Sequence, residues 1–165
     1  MEYISSDTNV WIDFHCINRL GLPFLLPYKY VMYYEQIDRE LVTVNKEEII
    51  KNGLLAIDLT IEEFFLAEEY GNKYLALSKW DRIALAIAKT RNMKLLTGDM
   101  PLRKAALKEN VMVLGTIGIL DELYKLRLIN KEELAYCLEA LIEKNGCIVR
   151  LPLVELEKRL KELRQ

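Results

Sequence analysis

The sequence has little of the side chains from which many metal and redox sites are built. His15 is the only histidine; it lies on a helical stretch with no metal-ligand partner and reads as a packed or solvated side chain. Of the cysteines Cys16, Cys137 and Cys147, no two form a CxxC pair, and their odd number speaks against a disulfide framework. Reduced, mostly buried thiols are expected. No apolar run approaches the roughly 20 residues of a membrane-spanning helix. The opening MEYISSDTN is acidic and short of apolar residues, unlike a signal peptide, so a cytoplasmic protein with no membrane partner is expected. Neither sign of charge dominates. With 23 Lys and Arg against 25 Asp and Glu the net charge is -2, so nucleic acid could be held only by a local basic patch. Repeats, low-complexity tracts and Ser/Gly linkers are missing, which argues against a second domain.

What is present is a patterned chain of 165 residues, 52% hydrophobic and 29% charged, enough for one globular domain with a core. Residues 3–6 read as a short buried strand that ends at Asp7. From Thr8 on, Trp11, Ile12, Phe14, Ile17 and Leu20 fall on one wide helical face, which Gly21 closes. After an apolar link framed by Pro23 and Pro27, KYVMYYEQIDRELVTV reads as another helix with Val31, Tyr34, Ile37 and Leu41 at core spacing. Asn45 and Glu48 resemble a capping box for a short helix stopped by Gly53. LLAIDL at 54–59 is a continuous apolar run suited to a central parallel strand covered on both faces. Thr60 and Glu63 cap the next helix, which Gly71 ends, and Ser78 caps the one after.

Residues 94–97 and 111–114 read as strands, followed by helices that begin with Pro101 at the first position and with Thr116 as cap. This alternation predicts an α/β fold, a central parallel β-sheet flanked by helices on both faces. One domain over 1–165 is expected, with a core over about 1–120 and a helical C-terminal extension over about 121–165. In the extension Leu153, Leu156, Leu160 and Leu163 form a narrow stripe; core packing is the preferred reading and a seam for a partner chain the alternative.

Three acids stand where such a sheet would place a ligand crevice, at the carboxyl ends of its strands. Asp7 follows the first strand, Asp99 follows the strand at 94–97, and Asp81 lies on the first turn of a helix that could point into the same crevice. A glutamate from the 30–41 stretch could complete a ring of four. Clustered carboxylates repel unless a cation neutralises them, and hard oxygen ligands select Mg²⁺ or Mn²⁺. Phosphoester hydrolysis suits such a site. Each acid also has a structural explanation: Ser78-x-x-Asp81 fits a capping box, Asp99 a turn, and Asp7 a helix cap.

The residues SSDTNVWID, LSKWDRIALAIAKTRNMKLLTGDMPLRKAA and VLGTIGIL resemble the PIN-domain family of metal-dependent ribonucleases, and most closely the VapC-type toxins of toxin–antitoxin pairs. The likeness covers residues 4–120. It implies that Asp7, Asp81 (ahead of Ala84, Ala86 and Ala88) and Asp99 (after Thr97) are catalytic and metal-ligating acids. The family's fourth acid, a glutamate on the helix after the second strand, falls best on Glu35; Asp38 and Glu40, the latter in a family-like Glu40-Leu41 ending, are rivals. The lead-in YKYVMYYEQI departs from the family's small residues. The resemblance further implies one or two Mg²⁺ or Mn²⁺ ions and cleavage of single-stranded RNA to a 3′-hydroxyl and a 5′-phosphate. Asn9 and Thr97 would orient the carboxylates from behind, and Arg103 could contact a backbone phosphate. The implied partners are an RNA substrate, a cognate antitoxin and a second copy of the chain.

Arg91, Lys94, Arg103, Lys104 and Lys108 would supply the local basic patch. Three other readings compete. A haloacid-dehalogenase-like phosphatase would need an aspartate two residues after Asp7, where Asn9 stands. A receiver domain could use Asp58 as phospho-acceptor beside Asp7. A degenerate PIN fold would bind RNA or protein without cleaving anything.

Overall fold

The computed structural model describes residues 1–165. Its strands are β1 (Glu2–Ser6), β2 (Tyr28–Tyr33), β3 (Leu55–Ile57), β4 (Lys94–Leu96) and β5 (Val113–Leu114). They form one sheet, parallel throughout, in the order β3-β2-β1-β4-β5. Nine α-helices accompany it: α1 (Thr8–Cys16), α2 (Tyr34–Glu40), α3 (Lys46–Asn52), α4 (Ile61–Lys73), α5 (Lys79–Thr90), α6 (Met100–Lys108), α7 (Thr116–Lys125), α8 (Lys131–Lys144) and α9 (Leu153–Leu163). The expected α/β class with a central parallel sheet is what the chain adopts. No helix is long and apolar enough to cross a membrane.

The chain steps outward from β1 through β2 to β3, then returns to lay β4 on the other side of β1. The winding therefore reverses between β1 and β4, and parallel sheets leave their ligand crevice at such a point. Alternation along β2 sends Tyr30 and Met32 into one core, with Trp11 and Phe14 of α1, Leu120 of α7 and Leu138 of α8. Val31 points into the opposite core, with Tyr70 of α4, Ile87 of α5 and Ala106 of α6. Each fully buried aliphatic side chain of this kind contributes about 1.5–3 kcal/mol. The small side chains of Ala84, Ala86 and Ala88 let α5 lie close to β1, where the Ser5 hydroxyl donates to the Ala84 carbonyl at 2.8 Å. In α9, Leu156 is buried and Leu160 and Leu163 pack on the same core, while Leu153 at the start of the stripe is exposed.

The stretch 29–44 corrects the expectation of one helix. Its first part, rich in aromatic and β-branched residues, pairs with β1 as β2, and the helix begins only at Tyr34. LLAIDL is not a central strand either. Only Leu55–Ile57 is extended; it lies at the sheet edge, where Leu55 is 39% exposed. An apolar run cannot tell which edge of the sheet it will occupy. Smaller corrections concern helix ends. α1 stops at Cys16, where Asn18 takes a left-handed φ of 58°, before Gly21 is reached. Gly71 lies inside α4 instead of ending it, under the Arg82 guanidinium of α5, where a Cβ would fall 2.0 Å from a terminal nitrogen. Pro101 is the second residue of α6.

One ion pair, buried on its carboxylate side, ties α4 to Arg91 at the end of α5. The Glu63 side chain is fully buried, closes the α4 capping box with Thr60, and accepts the Arg91 Nε at 2.7 Å on Oε2 and its Nη2 at 2.9 Å on Oε1. Burial alone would raise this carboxyl; the guanidinium and the Thr60 donors hold it below the ordinary value. Removing the cation would leave an uncompensated buried charge. Arg91→Ala is expected to cost about 3–5 kcal/mol, seen as a lower urea midpoint, and a loss below about 1 kcal/mol would contradict this role for the pair.

Candidate active site

At the end of β1, Asp7 caps α1 and is 4% exposed. Its Oδ1 accepts the Thr8 backbone N–H at 2.8 Å and the Gln36 Nε2 at 3.2 Å; its Oδ2 accepts the Thr97 hydroxyl at 3.0 Å. Burial, with the nearby charges of Asp81 and Glu40, pushes its carboxyl up to about 7 against the pull of those donors. The Thr97 hydroxyl also accepts the Asp99 N–H at 3.1 Å, and Asn9 Oδ1 accepts the Gly98 N–H at 3.1 Å. One turn after β4 is thereby fastened to the first turn of α1. Asp7 and Asp99 stand in fixed relation across the sheet's switch point.

Asp99 caps α6 through Oδ2, which accepts the Leu102 N–H at 3.1 Å. Asp81 occupies the third position of α5 and closes a capping box with Ser78: Oδ2 accepts the Ser78 N–H at 2.9 Å. Burial raises the Asp81 carboxyl, and the charge of Asp99 raises it further. All three aspartates therefore do serve as caps. The cap consumes one oxygen each in Asp81 and Asp99 and leaves Oδ1 without a protein donor. Capping and a second task are compatible.

The 34–40 helix decides between the three rival acids in space. Since α2 starts at Tyr34, its buried face carries Gln36, Ile37 and the adjoining Glu40. Glu40 Oε1 accepts the Gln36 Nε2 at 3.0 Å and the Thr8 hydroxyl at 3.5 Å. Burial raises its carboxyl, and the Asp81 charge adds to the rise. Glu35, the favoured residue on sequence grounds, turns the other way: its contact is the Tyr34 hydroxyl at 3.4 Å. Asp38 is exposed, 3.9 Å from Lys46. The structure thus brings Glu40, not Glu35 or Asp38, to the aspartates. The reason is the start of α2. β2 runs on to Tyr33, so the helix begins at Tyr34 and turns Gln36 and Glu40 toward Asp7 and Thr8.

Two polar residues near these acids were not foreseen. Gln36, 1% exposed, lies four residues before Glu40 on the same helical face, a relation visible once α2 is known to begin at Tyr34. Asp13, 6% exposed, accepts the Thr116 hydroxyl at 2.6 Å; burial pushes its carboxyl up to about 6. Asp13, Asn9 and Asp99 line one side of a cleft of about 1260 Å³, and Arg150, Pro152 and Arg159 of the C-terminal segment line the other. Of the four gathered acids only Asp99 lines it, so the cleft adjoins the acidic cluster without containing it.

The expected basic patch is smaller than the sequence suggested. Arg91 is tied to Glu63, and Lys94 lies 3.4 Å from Glu2. Arg103 remains exposed, one turn beyond Asp99 at the cleft, with Lys104 beside it. Arg159, across the cleft, is engaged by Asp121 and Glu155.

A family model described as a PIN domain matches residues 3–163. The chain belongs to the PIN-domain family. PIN domains are generally nucleases and typically use divalent metals, which removes the phosphatase and receiver readings. In this PIN domain Asp58 stands at the edge strand β3 and caps its own neighbour Leu59, away from the switch point. No curated protein and no solved structure matches the chain significantly.

The residues fit a hard divalent cation by donor chemistry. The set is all oxygen; Asp81 Oδ1, Asp99 Oδ1 and Glu40 Oε2 have no protein donor, and the buried Gln36 Oε1 is an acceptor with no partner at all. No three of these side chains converge into a closed ligand set as they stand.

Proposed function

We propose that this PIN domain is a Mg²⁺- or Mn²⁺-dependent endoribonuclease that hydrolyses phosphodiester bonds of single-stranded RNA and acts as the toxin of a toxin–antitoxin pair. The observation that carries the reading is the gathering of acids at the switch point: Gln36 joins Asp7 to Glu40, Thr97 joins Asp7 to the Asp99 turn, and the Asp81 charge bears on both Asp7 and Glu40, with no Lys or Arg in their side-chain hydrogen bonds and only Arg82 of α5 offsetting part of the charge at Asp81. A divalent cation is the group that relieves it. On this reading Asp7, Glu40, Asp81 and Asp99 hold the ion. Thr97 and Asn9 keep the two strand-end aspartates in register, and Arg103 receives a phosphate of the RNA backbone beside Asp99. The ion, when bound, activates a water and neutralises charge on the phosphodiester. RNA ends as 3′-hydroxyl and 5′-phosphate. A cognate antitoxin and a second copy of the chain are the protein partners, and the cytoplasm the location, that suit this role.

The acids that do not yet form a closed set support one rival, a PIN fold that binds RNA or protein without cleaving it. A single pair of variants separates the two and also tests the choice of acid. With a mixed single-stranded RNA panel and Mn²⁺, the wild type should cleave, Glu40→Gln should be slowed at least about 100-fold, and Glu35→Gln should stay within about threefold of the wild type. Wild-type inactivity on every RNA would favour the binding module, and the reverse order of the two variants would return the fourth acid to Glu35.

A further inference from the structure

Gln36 is an uncharged residue wedged between acids. One amide nitrogen, Nε2, donates to Asp7 Oδ1 at 3.2 Å and to Glu40 Oε1 at 3.0 Å, so both of its protons are spent on carboxylates. The opposite assignment would set the amide oxygen against Asp7 Oδ1, which already accepts the Thr8 N–H, and Glu40 Oε1, which accepts the Thr8 hydroxyl, two acceptors facing a third. That fixes the other end of the amide. Oε1 is buried and is the single buried side-chain nitrogen or oxygen in the chain with no hydrogen-bond partner. A buried acceptor left without a donor loses its hydration with nothing in return. A fold that keeps one on an amide wedged between two carboxylates leaves it for a donor absent from the polypeptide.

Resting on the metal-dependent reading above, we propose that Gln36 is a positioning residue of the cation centre: Nε2 clamps Asp7 to Glu40, and Oε1 accepts a hydrogen bond from the hydration of the divalent ion. The clamp takes one oxygen of each acid. It thereby leaves Glu40 Oε2 free, and it links the α2 acid to the strand-end acids, which Thr97 already joins to one another. A hydrated Mg²⁺ or Mn²⁺ carries strongly polarised O–H donors and suits a lone buried amide oxygen, whereas a bare polypeptide supplies no such donor here. Outer groups that orient ligands in this way typically alter metal affinity 10- to 100-fold.

The test measures Mn²⁺ binding by calorimetry on the full chain without RNA, beside thermal melting in EDTA. Gln36→Met keeps the length of the side chain and removes both the donor and the acceptor. It should weaken Mn²⁺ binding about 10-fold or more while the EDTA melt stays cooperative. A merely structural role predicts a lowered EDTA melt with Mn²⁺ affinity unchanged, and that result overturns the proposal. Gln36→Glu serves if the first variant does not fold. It keeps an acceptor but loses the clamp and adds a charge, so it should melt lower than wild type in EDTA and gain more on Mn²⁺ addition. An equal gain in the two proteins overturns the proposal. If the wild type binds Mn²⁺ and both variants behave as it does, only the role of Gln36 falls; if the wild type binds no Mn²⁺, the metal-dependent reading falls with it.

Discussion

Asp99→Asn is expected to abolish RNA cleavage, by about 1000-fold or more, and to relieve the growth arrest expected when the wild-type chain is expressed alone. The substitution is nearly isosteric, and the amide oxygen can still accept the Leu102 N–H, so the cap of α6 survives. What is lost is the negative charge of the one gathered acid that lines the cleft. A cation that stabilises transition-state charge contributes several kcal/mol, and each 1.36 kcal/mol is tenfold in rate. Since the cap is kept, the melting temperature in EDTA should be within a few degrees of the wild type. Cleavage within tenfold of the wild type, or toxicity that persists in the variant, would remove Asp99 from the chemistry.

In the absence of divalent cation, the protein should lose stability as the pH rises from 4 through 7, and Asp7→Asn should remove a large share of that loss. The sign follows from the direction of the shift. Asp7 titrates near 3.8 in the unfolded chain and at about 7 in the folded one, because burial and the charges of Asp81 and Glu40 oppose its ionisation. Between those values the folded state holds a proton that the unfolded state has released, so stability falls with rising pH. About three pH units at 1.36 kcal/mol each give a loss on the order of 4 kcal/mol, fully expressed above pH 7. Asp13, raised by burial to about 6, adds a loss of the same sign that ends earlier. Urea midpoints in EDTA at pH 5 and pH 8 measure this directly. Asp7→Asn should then be more stable than the wild type at pH 8 and close to it at pH 4. A wild type equally stable at both pH values would refute the argument, and Mn²⁺ should restore much of the loss at pH 8 in the wild type alone.

Together these expectations describe a site that opposes the fold supporting it. Asp7, Asp81 and Asp99 are caps, and caps stabilise helices by about 1 kcal/mol each. Their gathering at one sheet edge is unfavourable without a cation. The same three residues thus favour folding locally and oppose it as a group, and a bound ion would reverse the second effect.

The class of fold is legible in one dimension, because alternating strand and helix patterns with Ser78, Thr60 and Asn45 caps are written in local periodicity and hydrogen-bonding chemistry. The sequence also marked Asp7 and Asp99 after strands, the latter in the LLTGD turn, and Asp81 on the first turn of a helix. Tertiary structure alone decided the rest. Tyr28–Tyr33 carries strand-forming side chains and helical apolar spacing at once, and the parallel partner that β1 offered decided between them and set where α2 begins. The phase in turn brought Glu40 and Gln36 inward and left Glu35 with Tyr34. Apolar residues at 54–59 announced a strand but not its place at the edge, since position in a sheet depends on which strands come later. A capping aspartate and a metal-binding aspartate look alike in one dimension. Only the distance between helices that are far apart in the chain tells whether their carboxylates share a single charge problem.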